Sequence, residues 1–148
     1  MIWKPHVTVA AVIEQQGRFL MIEEVVDGKT VINQPAGHLE DNEDLITAVI
    51  RETLEETAWH FIPRSIIGIF QWTSPRDGDT FLRICFTGHC HQHDPERKLD
   101  QGILRALWLS RDELLALPLR SPLVLSSIDE YLTGKRYPLE LLSLVKPD

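Results

Sequence analysis

The sequence predicts an α/β fold in which a mixed β-sheet is sandwiched against helices. Three observations predict it. Strand-like runs arrive in pairs separated by glycine turns, one amphipathic helical segment interrupts them from about Leu45, and two further helical segments follow the last strand. Strands that arrive as hairpins pair antiparallel, so the sheet is expected to be mixed and not doubly wound.

His6 to Ile13 opens the pattern, with Val7, Val9 and Ala11 on one face of a strand. Arg18 to Val25 is a second run, and Gln15-Gln16-Gly17 between them reads as a hairpin turn. Asp27-Gly28-Lys29 makes the next turn, into a short run from Thr30 to Asn33; Gln34-Pro35-Ala36-Gly37 then breaks regular structure. Leu45, Ala48, Val49, Glu52, Thr53 and Glu56 recur at helical spacing. Asp41 or Asn42 is the expected N-cap, with acidic residues crowding the positive end of the helix dipole. Ile66 to Ser74 and Thr80 to His91 are two long strands around the turn Pro75-Arg76-Asp77-Gly78. Ile103 to Leu109 is a further strand. Ser110 caps a short helix to Leu117, since Asp112 and Glu113 fill its first turn. Pro122 to Leu132 is the last helix, stopped at Gly134.

Residues 1–148 read as a single domain, long enough to bury its own core and undivided by repeats or linkers. The net charge of −7 argues against a broad nucleic-acid surface. It leaves room for a small phosphorylated ligand whose charge is screened by cations. No apolar run reaches the ~20 residues that cross a bilayer. Met1-Ile2-Trp3-Lys4-Pro5-His6 lacks the apolar stretch of a signal peptide. A cytoplasmic protein with no membrane partner is expected, either a monomer or a homodimer. Cys85 and Cys90 are too few for a disulfide framework and read as reduced thiols.

The helical segment carries the chemistry. Glu52 and Glu56 lie one turn apart on one face, and Glu55 flanks them. Like charges at this spacing each cost a few tenths of a kcal/mol in water, and more beside an apolar stripe. A divalent cation removes that repulsion, and hard cations such as Mg²⁺ or Mn²⁺ prefer oxygen ligands. Arg51 can reach Glu55 at i+4 and pin it. Gly37 permits a turn closed to other residues, with a carbonyl free to act as another oxygen ligand. Glu40 and Glu43 add carboxylates at the helix start. The competing reading is an acidic, solvated helix face with one Arg–Glu bridge.

Residues 37–59 together are more specific. Gly37, Glu43, Arg51, Glu52, Glu55 and Glu56 stand at the spacing of the Nudix box, and the chain resembles the Nudix hydrolase superfamily. Two positions depart: Thr53 stands where an aliphatic residue is usual, and Ala58 replaces the second glycine. The likeness extends to Lys4-Pro5-His6-Val7-Thr8-Val9-Ala10, Asn33-Gln34-Pro35-Ala36-Gly37-His38-Leu39-Glu40, Arg120-Ser121-Pro122-Leu123-Val124 and Arg136-Tyr137-Pro138-Leu139-Glu140, which resemble a bacterial phosphatase of that superfamily. The resemblance implies a Nudix-type α/β/α sandwich and Mg²⁺-dependent hydrolysis of phosphoanhydride bonds, with Mn²⁺ able to substitute. Nucleoside di- and triphosphates are the implied substrates, together with thiamine-pathway compounds such as hydroxymethylpyrimidine diphosphate or thiamine pyrophosphate. Orthophosphate would be released in single steps.

The resemblance also implies roles. Glu52 and Glu56 would be metal ligands, Glu55 a ligand or water-orienting base, Gly37 a carbonyl ligand, and Arg51 an orienting residue that does not touch substrate. Many members supply another carboxylate before a late strand. Counted back from Trp108 that position falls near Gln101 or Gly102, which leaves Asp100 as an open candidate.

For substrate binding, Trp72, Phe81 and Trp3 are candidate platforms for a ring, although such residues are more often core, Trp3 above all. Arg83 shares a strand face with Phe81, and either clamps a phosphate or forms a surface pair. Arg76 and Arg120 are weaker candidates of the same kind. His89, His91 and His93 alternate, which on one strand places them on one side, and His38 has no evident role. Two alternatives stay open. One is a Nudix hydrolase acting on another nucleoside-diphosphate-linked metabolite; the other is a nucleotide-sensing module without catalysis.

Overall fold

Short β-branched runs and tight turns set the architecture of the computed structural model, which describes residues 1–147. The strands are β1 (His6–Val12), β2 (Glu14–Gln15), β3 (Arg18–Val26), β4 (Lys29–Asn33), β5 (Ala36–His38), β6 (His60–Thr73), β7 (Thr80–His91) and β8 (Ile103–Leu109). The helices are α1 (Leu45–Thr57), α2 (Arg111–Leu115) and α3 (Leu123–Leu132), and a 3₁₀ turn covers Leu139–Leu141. Two hairpins use the same turn geometry. Gln16 and Gly17, and likewise Asp27 and Gly28, all have positive φ, which matches the twist of the flanking strands.

The strands form two four-stranded sheets. One has the order β5-β1-β7-β6 and is mixed, because β1 pairs parallel with β7 and antiparallel with β5. The other joins β2, β3, β4 and β8 and is antiparallel throughout. Alternation along β1 builds two cores. Val9 and Ala11 meet Ala48 and Val49 of α1, while Ala10 and Val12 face the layer of Val124 and Ile128 from α3 and Leu114 from α2. Helices therefore cover both faces, giving an α/β/α sandwich with a mixed sheet at its centre.

Several local expectations change. Asp44, not Asp41 or Asn42, caps α1: its carboxylate accepts the Thr47 N–H at 2.6 Å, and no acidic residue occupies the first turn. The Asn42 backbone instead has φ 61 and belongs to the preceding loop. β6 starts at His60, well before Ile66, and absorbs Pro63 through bulges at Pro63/Ser65 and Ile66/Gly68. An edge strand tolerates a proline that an interior strand would reject. Ala36 and Gly37, read as part of a break over residues 34–37, instead join His38 in a short strand beside β1. The three histidines do not all share a face: His89 and His91 alternate along β7, but the strand ends there and His93 lies beyond it, stacked on Trp59.

The later part of the chain closes both sheets. Ile32 donates its N–H to Pro118 O and accepts from Arg120 N–H, which lays residues 118–120 against β4. Tyr137 and Ile66 exchange backbone hydrogen bonds of 2.8 and 2.9 Å across the outer edge of β6. Among the described residues, no helix is long and apolar enough to cross a membrane.

Candidate active site

α1 explains its own departures from the usual pattern. Thr53 is fully buried, but its hydroxyl donates to Val49 O at 2.8 Å, so a polar atom sits in the core without an unmet bond. Ala58 ends the helix in the left-handed region at φ 62, with its N–H on Leu54 O. That is the helix-ending conformation glycine adopts without steric cost.

The exposed end of α1 and strand β5 form one wall of a cleft of about 380 Å³. Arg51 is its hub. Nε and Nη2 grip both oxygens of Glu43 at 2.6 and 2.9 Å, and Nη1 reaches Glu52 at 2.6 Å and Glu55 at 3.4 Å. Nη2 also donates to His38 O at 3.1 Å, which ties the helix to β5. The expected pairing with Glu55 is thus the weakest of the set; Glu43 and Glu52 hold Arg51 hardest. The Arg51 hydrogen bonds pull the Glu43 carboxyl below its usual range.

The other carboxyls are pushed the opposite way. Burial raises Glu56 to about 9, against the N–H that Ala36 donates to it at 2.8 Å; Glu52, Glu24 and Asp100 add repulsion. Glu52 is raised first by burial, with Glu55 and Asp100 adding to it. Glu55 is raised by burial and then by Asp100, whose backbone N–H also bonds Glu55 O at 3.0 Å. Asp100 therefore belongs to the acidic wall, as does Glu24 from β3. Gly37 makes the arrangement possible, because a Cβ there would collide with the Glu52 carboxylate. Among the described residues, no three acidic, His or Cys side chains converge on one point. Glu52 is turned to Arg51 and Glu56 to Ala36, so the oxygens share the cleft without yet sharing a centre.

The facing wall is aromatic and basic. Trp72 and Phe81 pair across β6 and β7 with rings stacked 5.9 Å apart. Arg83 lies two residues along β7 and is 5% exposed, so it makes no surface pair. Its Nη1 donates to Gln34 Oε1 at 2.9 Å and its Nη2 to Asn33 Oδ1 at 3.4 Å, while Nε has no partner. Its direct partners are neutral amides, and burial lowers its affinity for its proton. Arg120 closes this wall, paired with Glu24 at 3.1 Å. Burial, with His6 and Arg120 facing it, pushes the His38 imidazole below its usual range. Past Trp72 and Phe81 a second hollow of about 550 Å³ continues toward Arg76, which is paired with Asp27. Trp3 is exposed and lines neither hollow.

The NUDIX domain profile matches residues 4–126. The chain belongs to the NUDIX family. It is 46% identical over 141 residues to the phosphatase NudJ of Escherichia coli K12, covering 95% of this chain and 92% of that one. A NUDIX hydrolase structure from Nitrosomonas europaea superposes with TM-score 0.94 at 50% identity, covering 96% of this chain and 98% of that one. The NUDIX domain of Shewanella oneidensis NrtR, solved with ADP ribose, shares the fold with TM-score 0.74 at 18% identity over 90% of each chain. The protein is accordingly a Nudix phosphohydrolase and a homologue of NudJ.

Of the residues expected at the site, Gly37, Glu52 and Glu56 line the cleft on one side and Trp72, Phe81 and Arg83 on the other, while Arg51 and Glu55 do not line it and join the acidic side through the Arg51 hydrogen bonds. The sequence reading missed Glu24, Asn33, Gln34 and the partnership of His6 with His38. Two consecutive amides directly before Pro35 were a usable signal for the first layer around Arg83. Glu24 had none, since its place depends on the pairing of β3 with β4.

Proposed function

We propose that this Nudix hydrolase removes orthophosphate from nucleoside di- and triphosphates, and from hydroxymethylpyrimidine diphosphate or thiamine pyrophosphate, with Mg²⁺ as its cation and Mn²⁺ as a substitute. One catalytic domain spanning 1–148 would act on these small substrates in the cytoplasm, as a monomer or homodimer. The observation that carries the reading is the opposition of two walls across one cleft. Carboxyls raised by burial face a buried guanidinium whose direct partners are neutral amides. A polyphosphate with bound cations complements both walls at once.

The all-oxygen donor set fits a hard cation, and so does the close approach of Glu52 that only glycine at position 37 allows. Glu52, Glu55 and Glu56 would hold the cation through their carboxylates, and Gly37 through its carbonyl. The bound cation would neutralise phosphate charge and lower the pKa of a water. Arg51 keeps Glu43, Glu52 and Glu55 in fixed orientations and stays off the substrate. Arg83 would direct N–H donors at a phosphate oxygen, replacing the partner its Nε lacks. Trp72 and Phe81 would hold the ring of the substrate by stacking. Phosphate release as single units is supported by the homology to a phosphatase.

The test is turnover on a panel of nucleoside di- and triphosphates and pyrimidine diphosphates, with phosphate and pyrophosphate quantified separately. Hydrolysis with Mg²⁺, its loss in EDTA and its return with Mn²⁺ are expected. A Glu56→Gln variant should stay folded and lose turnover on the order of 100-fold or more. Equal rates in variant and wild type would remove the metal assignment; pyrophosphate as the product would remove the phosphatase assignment.

A further inference from the structure

Arg83 is held by a side chain that itself stays out of the cleft. Gln34 is 1% exposed, does not line the cleft, and stands where β4 gives way to β5. Its neighbours pin the backbone on both sides. Asn33 pairs with Ile22 across β4 and β3, and Pro35 O accepts the Ala11 N–H of β1 at 3.0 Å. Gln34 thus occupies the joint between the two sheets, and its amide has two partners. Nε2 donates to Val124 O at 2.8 Å, and Oε1 accepts from Arg83 Nη1 at 2.9 Å.

Those partners leave the amide one orientation. A backbone carbonyl only accepts, and a guanidinium only donates. A flipped amide would set oxygen against oxygen and N–H against N–H, so Val124 O keeps Oε1 on Arg83. The same bond ties together two parts of one wall. Arg83 belongs to β7, whereas Arg120, Ser121 and Leu123 reach the cleft from the start of α3 and the residues before it.

The chemistry of the contact sets what Arg83 has left to offer. An amide oxygen takes a hydrogen bond and no charge. A carboxylate in its place would take both, as a charge-assisted pair with the guanidinium. A hydrocarbon would strip a buried arginine of the shorter of its two amide bonds, when its Nε already has no partner.

We propose that Gln34 is the positioning residue of the basic wall: anchored on Val124 O, it holds Arg83 at the cleft without drawing off its charge. Gln34 touches no substrate and acts through Arg83. This rests on the reading of Arg83 as the group that binds phosphate.

A double-mutant cycle on binding tests it. The ligand is the α,β-methylene analogue of a nucleoside diphosphate, whose bridging carbon resists hydrolysis, titrated with Mg²⁺ present. Arg83→Met should weaken binding about tenfold. Gln34→Glu should weaken it by about the same factor, because the new carboxylate neutralises Arg83. Gln34→Met spares the charge and loses the holder, and should weaken binding about threefold. In the Arg83→Met background neither Gln34 variant should weaken it further. Both Gln34 variants should raise KM and nearly keep kcat. Thermal unfolding shows which variants are folded, and Gln34→Met carries the cycle if Gln34→Glu does not fold. Wild-type affinity in a folded Gln34 variant, or equal losses with and without Arg83, would overturn the proposal and leave Arg83 its role. Loss of the fold in both Gln34 variants would make Gln34 a structural residue and overturn the proposal as well. Wild-type affinity in Arg83→Met would overturn both the proposal and the phosphate reading of Arg83. Tight binding without turnover of any di- or triphosphate would overturn the hydrolase reading alone.

Discussion

The two walls of the cleft are built in opposite ways. Most of the acidic wall comes from one stretch, Gly37 to Glu56, ordered by one arginine, with Glu24 and Asp100 added from outside it. The aromatic and basic wall draws on β6, β7, the end of β4 and the residues before α3, and its charged member is held by neutral amides. The first wall stores repulsion among like charges, and the second stores a cation away from water. Each is costly alone, and the two costs are relieved by the same ligand. The lesson is that this cleft is least stable when empty, so substitutions that impair its chemistry can strengthen the fold.

Four substitutions break or sharpen that contrast. The largest effect is expected at Glu56, on the acidic wall. It keeps its proton up to about pH 9 in the folded chain but loses it near 4.5 when unfolded. Folded protein therefore binds more protons between those values, and metal-free stability falls as pH rises through that window. Glu56→Gln removes the dependence; at pH 8 without metal it should raise stability by on the order of 2 kcal/mol, read by urea unfolding. A variant no more stable than wild type would show the carboxyl to be relieved some other way.

Arg51 offers the reverse sign on the same wall. Arg51→Met leaves Glu43 and Glu52 without their partner and should destabilise the metal-free protein by about 2 kcal/mol, discounted for partial exposure. Added Mg²⁺ should return part of that loss, measured as a rise in Tm. On the facing wall, Arg83→Met removes a buried cation that no carboxylate hydrogen-bonds. The expected outcome is unchanged or higher Tm with KM raised about tenfold and kcat nearly kept. A collapse of the fold would place Arg83 among the structural groups. The smallest effect lies outside both walls: Ala58→Gly relieves a left-handed residue and should add about 1 kcal/mol without altering kinetics.

How much of this was legible beforehand follows the same division. Glu52, Glu55, Glu56 and Arg51 sit on one helix, so spacing alone placed them together, and Gly37 entered through the same local pattern. Thr80–His91 and Ile103–Leu109 matched the observed strands because their turns are marked by proline and glycine. The facing wall was partly legible: Trp72, Phe81 and Arg83 were singled out, but the burial of Arg83 depends on Asn33 and Gln34, about fifty residues earlier in the chain. Glu24 reaches the acidic wall only through the pairing of β3 with β4 and β8, which no local signal encodes. The N-cap was misplaced because Asp41, Asn42 and Asp44 all satisfy the same preference, and the loop backbone chose among them. The alternating histidines misled because the strand ended two residues too soon for His93.

The bonds between Tyr137 and Ile66 carry a practical consequence for handling the protein. They clasp the chain's last segment over the rim of the outermost strand, beside a groove lined by Ile69, Phe70 and Leu141. A version trimmed before Arg136 would bare hydrogen-bonding groups and greasy side chains together, which is the pairing that recruits a second molecule and precipitates preparations. Affinity handles therefore belong at the front of the chain, leaving that clasp fastened.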